Sequence, residues 1–150
     1  MPRLLRIPEA ASLGLHAAVI LAGHHNGPLS AKDLADRLEA SEAHLAKVMQ
    51  RLVRAGIVGS TRGPKGGFVL AKRADRVSLL DIYEAVEGHV EPTTCVFGKP
   101  VCGRDACILG GFVEEFDTRF RGYLAKARLS ELVEEKEPVH VGSQADHQDR

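Results

Sequence analysis

Apolar residues recur along this chain with changing period, and each change marks an element. After Pro8, Leu13, Leu15, Ala17, Ala18, Ile20, Leu21 and Ala22 form an apolar-rich run that ends at His24-His25-Asn26-Gly27. A proline in the first turn of a helix loses nothing by lacking an N–H, so this run predicts a first helix over about 8–25. Ser30 followed by Asp33 is a capping arrangement for a short second helix, SAKDLADRLEA, with Leu34, Ala35 and Leu38 on one side. Ser41 caps a third. There Leu45, Val48, Met49, Leu52 and Val53 repeat as i, i+3, i+4, i+7, i+8, which buries one stripe and turns Ala43, Lys47, Gln50, Arg51 and Arg54 to solvent until Gly56 closes the helix.

The pattern then shortens to β-prone runs, Ile57-Val58-Gly59-Ser60-Thr61 and Phe68-Val69-Leu70, flanking Arg62-Gly63-Pro64-Lys65-Gly66-Gly67. This predicts a hairpin with a cationic, glycine-rich tip. Ser78 opens another short helix, LLDIYEAVEG, ending at Gly88, and the stretch from Glu91 to Cys107 has no period. From Ile108 a longer helix is expected, with Leu109, Phe112, Val113, Phe116, Phe120, Tyr123 and Leu124 in a wide stripe that holds three of the five phenylalanines. So much aromatic surface must pack on something, either the chain's own core or the same helix of a second subunit. Residues 136–150 are polar and are expected to be a disordered tail.

The expected architecture is mainly α: a winged helix-turn-helix with a two-stranded wing and a long C-terminal dimerisation helix. Its divisions are a DNA-binding unit over 1–90, a cysteine loop over 91–107, a dimerisation helix region over 108–135 and the tail. At 150 residues and 44% hydrophobic content the chain supports one good core. No apolar run approaches the roughly 20 residues that cross a bilayer, and Glu9, Ser12 and His16 interrupt the amino-terminal run, so no membrane partner, no signal peptide and a cytoplasmic location are expected.

Net charge is zero, but the average hides a division. Residues 1–80 hold 12 Lys+Arg against 6 Asp+Glu, and residues 81–150 hold 8 against 14. The basic excess falls on the third helix and hairpin, where it would attract phosphates. Two helices joined by Glu39-Ala40-Ser41, the second with a cationic face, fit a helix-turn-helix reader of double-stranded DNA. The candidate contacts are Ser41, His44, Lys47, Gln50 and Arg51 on the helix, and Arg62, Gly63, Lys65 and Gly66 in the wing, where glycines allow close backbone approach.

Cys95, Cys102 and Cys107 are the only cysteines, spaced C-x6-C-x4-C. An odd number in one short loop cannot close as internal disulfides, whereas three thiolates at a metal centre need one further ligand. Such a centre beside a DNA-binding unit is a sensor arrangement.

The order of elements resembles the IscR/NsrR-type family of iron-sulfur winged-helix transcriptional regulators, within the Rrf2 superfamily. The resemblance covers roughly residues 5–133 and is carried by RGPKGGFVLAK at 62–72, VSLLDIYEAVEG at 77–88 and the three cysteines ahead of the long helix. It implies a homodimer that crosses its long helices and binds an imperfect palindromic operator. It also implies a 2Fe-2S or 4Fe-4S cluster on Cys95, Cys102 and Cys107, sensing iron-sulfur status, redox state or nitric oxide. One branch of the family has a histidine ligand three residues after the last cysteine, where this chain has Gly110; others recruit a side chain from the first helix. His16 is then the candidate fourth metal ligand, from the partner subunit, with Ser12 and Glu9 on the same helix face as alternatives.

Three rival readings remain open. Three cysteines and a histidine also make a tetrahedral zinc site, although the paired C-x2-4-C knuckles of structural zinc are missing. A cluster-free DNA-binding or adaptor dimer needs no metal. A cysteine nucleophile would need a positioned histidine base, and the loop contains none, so no enzyme is expected.

Overall fold

Pro8 is extended, with φ −52° and ψ 138°, and its carbonyl accepts the Ser12 N–H, so helix α1 starts at Glu9 and runs to Gly23. The computed structural model describes residues 6–97, 99, 101–103 and 107–134; the tail expected over 136–150 lies outside them. Ala11, Leu13, Gly14, Ala17, Ala18 and Leu21 of α1 are buried. Gly14 sits where α1 crosses a later helix: a Cβ there would lie 2.8 Å from Val86 Cγ2 and 3.4 Å from Val48 Cγ1.

Helix α2, Ala31–Leu38, opens with the expected reciprocal cap, Ser30 Oγ accepting from the Asp33 N–H and Asp33 accepting from the Ser30 N–H. The Ser30 hydroxyl also donates to Asp33 Oδ2 at 2.7 Å, and this bond, with the one from the Ser30 N–H, holds the Asp33 carboxyl below its ordinary pKa. A left-handed Glu39 (φ 51°) turns the chain into α3, Glu42–Arg54, whose N-cap Ser41 accepts from the His44 N–H. Leu45, Val48, Met49 and Leu52 are buried as the spacing predicts.

Strands β1, Val58–Thr61, and β2, Gly67–Leu70, pair antiparallel, with Val58 opposite Leu70 and Thr61 opposite Gly67. Leu29 adds a one-residue third strand. Its N–H and carbonyl exchange bonds with Phe68 at 3.0 and 2.7 Å. Gly67, at φ 154°, passes so close to the Leu29 carbonyl that no side chain fits. The wing is thereby fastened to the loop ahead of α2.

Helix α4, Leu79–Glu87, carries a second reciprocal cap, between Ser78 and Asp81. The long helix differs from expectation. Residues 108–111 form a turn in which Gly110 has φ 58°, and helix α5 runs only from Phe112 to Lys126. Ala127 then turns extended, and a separate short helix α6 follows, Leu129–Glu134. The break is tertiary in origin: Leu79 N–H donates to Ala127 O and Leu129 N–H to Val77 O, both at 3.1 Å, so residues 127–129 pair with the chain entering α4. Leu124 and Leu129 join Leu34, Leu45, Met49, Leu52 and Ile82 in one core. Among the described residues no helix is long and apolar enough to cross a membrane.

Candidate nucleic-acid interface and cysteine loop

The buried stripe of α3 fixes what its other side presents. Ser41, Lys47 and Gln50 are exposed, and His44 is half-buried. At the wing, Arg62, Gly63 and Lys65 are exposed and Gly66 is half-buried. The tip is a tight turn, Gly66 N–H donating to Gly63 O at 3.0 Å with Gly63 at φ 106°. Polar and basic side chains thus lie exposed along one side of α3 and at the wing tip.

Two contacts were not readable from the local pattern. Arg51 faces solvent by helical period, but its Nη1 donates to Val86 O at 2.7 Å, at the C-terminal end of α4. Its guanidinium is engaged in holding α3 to α4 rather than held out with Lys47. His44 Nδ1 lies 3.8 Å from Glu9 Oε1, linking the start of α3 to the start of α1. The pairing between α1 and α3 brings these ends together, and neither periodicity alone encodes it.

The cysteine loop is anchored at its beginning. Thr93 N–H donates to Asp117 Oδ2 on α5 at 3.4 Å. Cys95 is partly buried, whereas Cys102 and Cys107 are exposed. Leu109 N–H points at Cys107 Sγ, 3.4 Å away. Among the described residues no three His, Cys, Asp or Glu side chains converge as a metal site, so the structure does not bring Cys95, Cys102, Cys107 and His16 together.

His16 is exposed on α1, and its Nδ1 lies 2.7 Å from Ser12 O. A carbonyl can only accept, so Nδ1 carries the proton and the neutral ring keeps its lone pair on Nε2, the form that binds a metal. Its setting is less polar than the spacing of Glu9, Ser12 and His16 suggests. His16 borders an apolar groove of about 310 Å³ lined by Leu15, Val19, Ile20, Leu38, Leu79 and Leu132.

The outer face of α5 is apolar and exposed. Phe112 is 65% exposed and Tyr123 60%, and Phe112, Phe116 and Phe120 stack in succession along the helix. Tyr83 meets Phe120 edge-on at 6.4 Å, which seats α5 on α4. Exposed apolar patches of this kind are characteristic of interaction surfaces.

A sequence model of the Rrf2 family, described as iron-dependent transcriptional regulators, matches residues 7–135. The chain is 34% identical over 124 residues to the HTH-type transcriptional regulator IscR of Enterobacter sp. (strain 638), covering 81% of this chain and 76% of that one. To the IscR of Photorhabdus laumondii it is 29% identical over 147 residues, 97% and 90% of the two chains. Among solved structures it is similar to T. potens IscR, with TM-score 0.71, 25% identity and 93% of each chain covered. It is likewise similar to CymR, the global cysteine regulator of B. subtilis, with TM-score 0.70, 27% identity and 87% and 97% covered.

Proposed function

The chain belongs to the Rrf2 family of transcriptional regulators, and from that premise we propose that it is a homodimeric, DNA-binding sensor whose signal enters through the cysteine loop. Transcriptional regulation is the function its relatives are named for, and it is not an enzymatic one. The observation that carries the sensor reading is the position of the loop: its three thiols sit between α4, which packs on the reading helix, and α5, whose aromatic face is uncovered.

The donor set suits an iron-sulfur cluster. Three thiols in one loop, two of them exposed, supply the soft ligands such a cluster takes, and an amide aimed at Cys107 Sγ is the kind of donor that stabilises bound thiolate. Cys95, Cys102 and Cys107 would hold it, with His16 Nε2 of a second subunit as the fourth donor. When bound, the cluster would supply reactivity toward electrons or small oxidants that the side chains lack. Zinc would suit the same thiols, and a colourless, zinc-containing protein would establish that alternative.

The chain's own residues make the DNA contacts. Ser41, His44, Lys47 and Gln50 face the major groove, with Arg62, Gly63, Lys65 and Gly66 at the flanking backbone or minor groove. Covering the Phe112–Tyr123 face with its copy places two reading helices at the fixed separation that a palindromic operator requires. The test is a visible spectrum with iron and sulfide analysis on anaerobically isolated protein, then operator affinity with and without the chromophore. Equal affinity in both forms would remove the sensor role and leave the DNA-binding role standing.

A further inference from the structure

The three cysteines are not equally held. Thr93 Oγ1 donates to Cys95 O at 2.8 Å and accepts from the Cys95 N–H at 3.3 Å, so one hydroxyl closes the backbone around that cysteine. The Thr93 N–H donates to Asp117 Oδ2, and the same oxygen accepts from Arg121 Nε at 3.0 Å. The Asp117 side chain is 14% exposed and that of Arg121 30%, so the pair is largely withdrawn from water, where a charged acceptor holds its donors more firmly. Asp117 and Arg121 lie one turn apart on α5, which Tyr83 and Phe120 hold against α4. Cys95 thus hangs from the rigid body of the protein by a chain of hydrogen bonds, Arg121 to Asp117 to Thr93. Cys102 and Cys107 are exposed in a loop that no such chain holds among the described residues.

We infer that Thr93 and Asp117 are positioning residues for Cys95, fixing it as the anchored thiolate of the loop and setting how readily a metal centre held there is given up. The inference rests on the cluster reading above, since only a bound centre makes the anchor functional. Outer hydrogen-bond partners of metal ligands act by orienting the donor before the metal arrives, and losing one commonly costs 10- to 100-fold in metal affinity. Here the anchor also ties the ligand to the aromatic helix proposed to cross the dimer, so loss or gain of a centre at Cys95 would be felt by α5 first.

Two arms test this on the full chain. In the reduced, metal-free protein, maleimide labelling followed by peptide mapping should find Cys95 modified faster in Thr93→Val and Asp117→Ala than in wild type. Cys102 and Cys107 should label at unchanged rates, and Thr93→Ser, which keeps the hydroxyl, should behave as wild type. In protein reconstituted anaerobically with ferrous iron and sulfide, the visible absorbance should decay to EDTA about tenfold faster in the same two variants. If wild type takes up no chromophore, the cluster reading fails, and the labelling arm alone decides whether Cys95 is anchored. Wild-type labelling and wild-type decay in Thr93→Val would overturn the anchor. So would equal acceleration at all three cysteines, which would mean general loosening. Should Asp117→Ala fail to fold, Thr93→Val, isosteric and uncharged, carries both arms.

Discussion

Replacing Arg51 by alanine separates two roles that its position on α3 leaves superimposed. Helical period places it beside Lys47 and Gln50, where an arginine would neutralise a DNA phosphate, yet its guanidinium reaches Val86 O at 2.7 Å. Val86 is the penultimate residue of α4, so its carbonyl lies beyond the last intrahelical donor. A hydrogen bond from a charged donor contributes about 1.5–3 kcal/mol, and a cation at a helix C-terminus about 0.3–1 kcal/mol. Arg51 is exposed overall, and solvent screening reduces both, leaving about 1–2 kcal/mol. With a urea m-value of about 2 kcal/mol/M, the unfolding midpoint of Arg51→Ala should fall by roughly 0.5–1 M at equal protomer concentration. Operator affinity measured across salt concentrations supplies the other half. A lost phosphate contact lowers the slope of log K against log salt by about 0.9, so the slope should stay at the wild-type value in Arg51→Ala and fall in Lys47→Ala. An unchanged midpoint together with a shallower slope would refute the assignment and return Arg51 to the DNA face.

Neutralising the wing with Arg62→Ala and Lys65→Ala should flatten the same slope by about 1.8 and weaken operator and random DNA alike, in a fluorescence-anisotropy titration. Gly14→Ala should destabilise the fold by about 1 kcal/mol in chemical denaturation, because overpacking against Val86 Cγ2 at 2.8 Å (roughly 1–3 kcal/mol) outweighs the helix-propensity gain of about 1 kcal/mol; adding Val86→Ala should relieve the clash. The Asp33 pKa is lowered by its bonds to Ser30, so its contribution is present above the ordinary carboxyl value of 3.8 and lost as pH falls through the folded value. The stability gap between wild type and Asp33→Asn should therefore close in acid, and a gap constant with pH would contradict the capping role. His16→Ala should lose the chromophore as Cys102→Ala does; wild-type spectra in the histidine variant would leave His16 as the edge of an apolar groove.

The parts of this fold that sequence exposes are those whose cause is local. The 3–4 spacing of Leu45, Val48, Met49 and Leu52 requires α3 whatever else the chain does, the Ser30–Asp33 pair forms the cap it suggests, and Ser78 opens α4 as expected. Glycines with cationic neighbours likewise announce the wing. What stayed hidden depends on residues far along the chain. The aromatic stripe reads as one helix from Ile108 because nothing local forbids it, and only pairing of Ala127–Leu129 with Val77–Leu79 splits α5 from α6. Arg51 and Asp117 look like solvated charges until Val86, 35 residues away, and Thr93, 24 residues away, are seen beside them. The candidate metal ligands are legible as residue types only, since no three of them converge among the described residues.

The bridge between Ser78 and Arg128 turns everything from α4 to the end of α5 into an excursion that departs from and returns to one point. Such a return leaves the geometry of the rest of the molecule insensitive to the contour length of the loop between α4 and α5, and doubling a flexible loop costs only about 0.6 kcal/mol in closure entropy. Residues between the first and last cysteine could therefore be lengthened, shortened or exchanged without moving α3 or the β1–β2 hairpin. The fold behaves as a socket: the chain entering α4 and residues 127–129 are stitched together at the base of the insert, whatever sequence fills it.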